Sequence, residues 1–271
     1  MDTPLTINRL ANALEQTFNG LIDVSDIQSN PADEIRKQYL SRALAAFSIA
    51  SLTNCDAAEA AASITDGFGD QGIDAIFFDA GDKALYLVQS KWSANGRSTI
   101  DQGDMEKFLR GVSLLTRPDF SQFNEKIRIR EKELTNNLLK RSDVRVVLVV
   151  TYSSPSDLGT EVEAPLLDYL KEQNNVGESD VFSSEICTLK RLYGYLSGQD
   201  IGKIKVEVAL RQWGKMDTPY KSYYGQVLVQ DIAGWSVHGR PLFAKNLRYF
   251  RGDTPINESI EKTLIDNPDH F

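Results

Sequence analysis

The chain is short of the residues that would make its chemistry easy to place. It has two cysteines and two histidines in 271 residues. Cys55 and Cys187 lie far apart, with no C-x-x-C spacing. No tetrahedral zinc site can be written from them, and with no export signal they read as reduced thiols rather than a disulfide. His238 and His270 form neither a zinc-protease motif nor a histidine-based nuclease motif. No apolar run is long enough to cross a bilayer. Met1 to Asn12 has neither the basic start nor the apolar core of a signal peptide, so a cytoplasmic location is the default expectation. Positive charge is also scarce: 30 Lys and Arg stand against 38 Asp and Glu, for a net charge of -8. Tight, nonspecific binding to nucleic acid runs on Lys and Arg, so this balance argues against it while leaving local patches open.

What is present is an ordinary globular composition, 41% hydrophobic and 25% charged. Met1 to Ala62 reads as helical, with Ile35, Tyr39, Leu40, Ala43, Leu44 and Phe47 at helical spacing behind Pro31. A short Ala-rich helix is expected over Ala57–Ala62. The character changes at Thr65–Gly72, where three glycines and two aspartates are loop chemistry. Ile73–Asp79 and Ala84–Trp92 then read as strands joined by a turn at residues 80–83. Ser98 or Thr99 is the expected cap of a helix running to Leu115, and Gln122–Arg141 the expected next helix. Val144–Tyr152 is nearly all apolar and β-branched, the pattern of a strand covered on both faces. Pro165–Gln173 reads as helix and Val181–Leu189 as strand. This alternation predicts an α/β layered fold. Past Gly202, strands are expected at Lys205–Gln212 and Tyr223–Val229 and a helix at Ile256–Ile265. The abrupt stop at Phe271 suggests a piece of a longer chain.

The hairpin carries the chemistry. A turn at 80–83 sets Phe78 opposite Leu85, Ile76 opposite Leu87 and Asp74 opposite Gln89, and opposed residues share a face. Lys91 lies on that face, two residues beyond Gln89. A carboxylate, an amide and an ammonium thus end an otherwise apolar stripe. Asp74 offers a hard oxygen for Mg²⁺ or Mn²⁺, and the Gln89 side-chain oxygen and Ser90 carbonyl could complete the set. Such a metal polarises a phosphodiester and acidifies bound water, with Lys91 orienting that water or stabilising developing charge. The plainer alternative makes Asp74 a turn residue and Gln89 and Lys91 a solvated strand end. Asp66 and Asp70 could approach the metal or hold the loop through Asx turns, with loop-building favoured for Asp66. Asp101 and Asp104 suit a helix start. Arg97, Lys107 and Arg110 are candidates for phosphate contact or plain surface. The stretch Trp213, Tyr220, Tyr223, Tyr224 and Trp235 could stack bases but is better read as core. Gly198–Lys203 is one residue short of a phosphate loop and has Ile204 where Ser or Thr should stand.

Gly72-Ile73-Asp74 followed by Val88-Gln89-Ser90-Lys91 resembles the Mrr-like branch of the PD-(D/E)XK nucleases. Ile64-Thr65-Asp66-Gly67 with Asp70, together with Gly239–Phe243, Asn246–Arg248 and Asn257–Ile260, resembles the abortive infection phage resistance proteins. The resemblance implies a restriction-endonuclease-like core of mixed sheet flanked by helices, and the start of a second α+β unit. It implies a helical segment over 1–30, a nuclease-like domain over 31–200 and a truncated C-terminal domain over 201–271. It further implies a Mg²⁺-dependent endonuclease acting on DNA, with RNA as the alternative, in bacterial anti-phage defence. A second copy of the chain, the rest of a longer chain or another defence component would be its protein partners, with no membrane role. The family usually has Asp or Glu where this chain has Gln89, although the Mrr-like branch shares the Gln. It also expects an acid from the first helix, for which Glu34 is the candidate and Glu59 the runner-up. The competing expectation is a nuclease-like module that binds nucleic acid or a partner without turnover.

Overall fold

A computed structural model describes residues 3–53, 55–117, 119–175, 181–197 and 208–234. The chain divides into two compact units, Met1–Gln199 and Asp200–Phe271. The first opens with helices α1 (Thr3–Thr17), α2 (Ala32–Thr53) and α3 (Ala57–Ala62). Strands β1 (Ala75–Asp79) and β2 (Ala84–Lys91) follow, then α4 (Gln102–Thr116), α5 (Glu125–Arg128) and α6 (Glu131–Leu139). Strand β3 (Arg145–Tyr152), α7 (Thr160–Asn174), β4 (Phe182–Cys187) and α8 (Leu189–Ser197) complete it.

The sheet order is β1-β2-β3-β4. The β1–β2 pair is antiparallel, as a four-residue turn allows, while β2–β3 and β3–β4 are parallel and need helical crossovers. The result is an α/β fold with a mixed sheet between two helical layers. Period-two alternation divides the strands cleanly. Ala75, Tyr86, Val88, Val147 and Val149 face a core built with α1, α2, α3 and α8. Ile76, Leu85, Leu87, Val146, Leu148 and Val150 face a second core built with α4 to α7. Strand β3 lies inside the sheet and is buried from Val146 to Tyr152, which is why its sequence is apolar on both faces. The 1–30 segment belongs to the same unit as the sheet: Ile7, Leu10 and Leu14 of α1 are buried in the first core.

Three local expectations are corrected. Helix α4 begins at Gln102, and its cap is Asp101, whose side chain accepts the Asp104 N–H; neither Ser98 nor Thr99 fills that place. The expected helix over Gln122–Arg141 is broken into α5 and α6. Asn124 caps α5 while its side chain also donates to the Thr65 carbonyl, and Arg130 reaches the Ile76 carbonyl on the edge strand. These long-range bonds hold the chain where a straight helix would lift it away. Helix α7 starts five residues before Pro165 and carries it inside. The bond forfeited is to the carbonyl of Glu161, an exposed residue, where water can replace it.

In the second unit, β5 (Arg211–Met216) and β6 (Ser222–Gln226) form an antiparallel pair, followed by α9 (Val229–Gly234). Trp213, Tyr220, Tyr223 and Tyr224 are exposed there, not buried as expected. The helix expected at Ile256–Ile265, Trp235 and the C-terminal stretches from Gly239 lie outside the described residues.

Candidate metal centre

Strand β2 runs three residues past the last backbone pair with β1, and that overhang is where polar groups collect. The register pairs Ala75 with Val88 and Asp79 with Ala84, so Asp74 comes opposite Gln89. At Asp74 the backbone leaves β2. Its carbonyl accepts the N–H groups of Thr65 (2.8 Å) and Asp66 (3.0 Å), folding the upstream loop across it. The Asp74 carboxylate takes over the edge of β2, with Oδ2 accepting Ser90 N–H at 2.6 Å and the Gln89 amide at 3.3 Å.

The loop itself brings more acid. Asp66, Asp70 and Asp74 each offer a carboxylate oxygen, and these lie within 4.8 Å of one another. Asp70, rather than Asp66, builds the loop, accepting N–H groups from Gly67 (3.1 Å) and Gly72 (2.7 Å). Gly72 is required where it stands. Its φ is +81°, and a Cβ would lie 2.8 Å from the Phe108 amide nitrogen and 3.1 Å from Gln89 Oε1.

Two cations hold the cluster together. Arg42 of α2, 1% exposed, donates Nε to Asp66 (2.6 Å), forks onto both oxygens of Asp26 (2.7 Å each) and bonds the Asp23 carbonyl (2.6 Å). Burial opposes its charge, yet the bonds from Asp26 and Asp66 raise its pKa above the ordinary value. Lys107 of α4 bonds Asp70 at 2.8 Å. Asp74 has no such partner. Burial foremost, then the neighbouring charges of Asp66 and Asp70, push its pKa well above the carboxylate range, against the Ser90 N–H and Lys107. Asp74 therefore binds a proton more tightly than a free carboxylate does, and a cation could take the proton's place.

Comparison with protein-family models, with curated proteins and with solved structures gives no match. The site must be read on its own chemistry.

The donor set suits a hard divalent cation: carboxylates and an amide, with no imidazole or thiolate among them. The fit is supported by Gln89 Oε1, which is buried and has no hydrogen-bond partner. The amide shows its NH₂ to Asp74. A half-turn would bring the oxygen there with no hydrogen bond to Oε1 lost, and such amide orientations are set by their surroundings. Ser90 turns its side chain toward α2, where its hydroxyl bonds the Ser41 carbonyl at 2.8 Å. Its own carbonyl accepts Ser41 Oγ at 3.3 Å, which leaves one lone pair.

Lys91 shares the face of Gln89, but its ammonium lies between Asp104 and Asp101, the second at 3.2 Å. Burial would lower its pKa; the bonds to Asp104 and Asp101 more than offset this and raise it. The two helix-start aspartates therefore grip Lys91 as well as their helix. Glu34 lines one cleft of about 490 Å³ with Asp66, Asp70, Ser90 and Lys91. It is outside the carboxylate cluster, bonded to Gln38 (3.3 Å) and near Lys37 (3.6 Å). Glu59 closes a capping box with Asp56 on α3. Arg97 and Arg110 are exposed, and Lys107 is the one of the three basic candidates tied to the cluster.

The motif does not reach Arg42, yet a signal for it exists. Tyr39, Arg42, Ala46, Ile49 and Thr53 step by three and four along one helical face, so an arginine stands among residues destined for burial. A buried arginine needs carboxylates, and the nearest loops supply them.

Proposed function

We propose that this chain is a divalent-metal-dependent endonuclease that hydrolyses phosphodiester bonds in DNA, and that it acts in bacterial anti-phage defence. The observation that carries the chemistry is the meeting of Asp66, Asp70 and Asp74 with the partnerless Gln89 oxygen at the end of one hairpin. Asp74 and Gln89 would hold Mg²⁺ or Mn²⁺, with the Ser90 carbonyl beside them. The metal would supply Lewis acidity to the phosphodiester and to a bound water. Lys91, released from Asp104, would reach into the cleft it already lines and stabilise negative charge on the phosphate oxygens. Glu34, which lines the same cleft, would act through a bound water.

The finer assignment, a PD-(D/E)XK core of the Mrr-like branch in an abortive infection phage resistance protein, rests on the motif resemblance. The antiparallel hairpin leading into parallel strands, and a helix acid that lines the same cleft, are compatible with it. The defence role rests on that resemblance alone.

One observation favours the second reading, a nuclease-like binding module without turnover: Lys91 is held by two carboxylates instead of standing free. A plasmid-nicking assay with Mg²⁺ and Mn²⁺ decides between them. Metal-dependent nicking that disappears in Asp74→Ala supports the enzyme. DNA binding without cleavage under any divalent metal supports the module.

A further inference from the structure

The loop that supplies Asp66 and Asp70 also carries the most exposed large hydrophobic side chain among the described residues. Phe68 has a relative exposure of 105%, so its ring stands wholly in solvent. Among the described residues it belongs to neither hydrophobic core. The loop would close equally well on a polar residue, because its bonds come from elsewhere. Asp70 grips the amides of Gly67 and Gly72. Asn124 N–H bonds the Gly69 carbonyl at 2.9 Å, and Lys126 bonds the Asp66 carbonyl at 2.8 Å. Phe68 is thus flanked on both sides by tied backbone and held out at the lip of the cleft that leads to the acidic cluster.

The character of the cleft says what could meet this ring. Its lining holds four carboxylates, on Asp26, Glu34, Asp66 and Asp70, against the cations Lys37, Arg42 and Lys91. Arg42 is held by Asp26 and Asp66, and Lys91, the cation assigned to the reacting phosphate, rests on Asp101 and Asp104. Recognition of either strand form through its phosphates alone runs on free cations and is weak on such a surface. Stacking of a base on an aromatic ring needs no charge and tolerates any base. The cleft, about 490 Å³, is of the size that takes a small ligand, and a base inside a duplex hides its faces against its neighbours, so only an unpaired base offers one to the ring.

We infer that Phe68 is a stacking platform for an unpaired DNA base, and that the site takes single-stranded DNA in preference to duplex. This deepens the phosphodiesterase reading above and rests on it. The ring holds the base at the lip while the adjoining phosphate reaches the carboxylate cluster. Phe68 is then a positioning residue that sets substrate choice, and its effect should follow the base and not the phosphate.

The test uses the full chain, as parent, Phe68→Ala and Phe68→Trp. Cleavage with Mn²⁺ is followed on a single-stranded oligothymidylate, on the same length of abasic sugar-phosphate, and on a blunt duplex. Mn²⁺-induced thermal shifts, read in parallel, show whether each variant keeps its fold and metal site. The expected result is faster cleavage of the single strand than of the duplex by the parent. Phe68→Ala should lose about 5- to 150-fold in kcat/KM on the oligothymidylate, the scale of one lost base–aromatic stack, with little change on the abasic strand. Phe68→Trp should restore it. If the parent cuts and Phe68→Ala cuts the oligothymidylate equally well, or loses both strands alike, the stacking role is overturned and the phosphodiesterase reading stands. Duplex cut as fast as single strand overturns the substrate preference in the same way. A parent that cuts no substrate with any divalent metal overturns both readings together.

Discussion

Replacing Asp74 by Asn isolates what the buried carboxylate does. The amide keeps an oxygen for the Ser90 N–H and Gln89, and turns its NH₂ toward Asp66 and Asp70, so the hydrogen bonds survive while the charge disappears. In the parent the folded-state pKa of Asp74 is raised above its unfolded value. Between the two values the folded chain holds a proton that the unfolded chain has released. Stability attached to this group is therefore present at low pH and lost as pH rises through the folded pKa. Asp74→Asn removes that loss, so without metal the variant should be more stable than the parent at alkaline pH and match it more closely in acid. A divalent cation does for the parent what the proton did, and its stabilisation should grow as pH rises. At a concentration a hundredfold above Kd a ligand contributes about 2.7 kcal/mol. The unit Met1–Gln199 is of a size for which 1 kcal/mol moves Tm by roughly 2–4 °C. Saturating Mn²⁺ should then raise the parent's Tm by roughly 5–11 °C at alkaline pH, by less in acid, and hardly at all in Asp74→Asn. The assay is thermal unfolding across pH with and without Mn²⁺. An equal Mn²⁺ shift in parent and variant, or a variant less stable than the parent in metal-free alkaline buffer, would refute the reasoning.

Gln89→Glu should bind Mn²⁺ more tightly, since a second carboxylate would lie at hydrogen-bond distance from Asp74, and should lower metal-free stability at alkaline pH; isothermal titration and thermal unfolding read the two effects. Lys91→Ala should leave the Mn²⁺ shift intact and change stability by no more than about 1 kcal/mol, because its ion pairs are partly solvated. Cleavage should nevertheless fall on the order of a hundredfold, and equal rates in variant and parent would remove Lys91 from the chemistry. Arg42→Met should destabilise by about 2–3 kcal/mol in urea unfolding, less than the 3–5 of a fully enclosed pair because Asp66 and Asp26 keep 29% and 36% exposure. Its Mn²⁺ affinity should fall as well, as Asp66 loses the group that aims it.

The hairpin shows how far a local reading reaches. A four-residue turn and alternating side chains are enough to set Asp74 against Gln89 and to put Lys91 on the same face, because register and parity depend on residues a few positions apart. Helix α3 and the doubly covered β3 were legible for the same reason, through composition and period. The cap of α4 and the break between α5 and α6 were not. Those boundaries are settled by Asp101 and by Asn124 and Arg130, the last two bonded to residues more than fifty positions upstream.

The site divides along the same line. By itself the sequence determined which groups stand at the end of β2, since covalent geometry carries a strand's side chains to fixed faces. Only the tertiary structure decided that Asp70 would tie the glycine loop, that Arg42 would be buried against Asp66 and Asp26, that Lys91 would lean on Asp101 and Asp104, and that Phe68 would be left in water. Each of those outcomes depends on how much solvent remains around a charge or a ring once distant segments have closed on it. Burial is a property of the assembled layers and of no single stretch of chain.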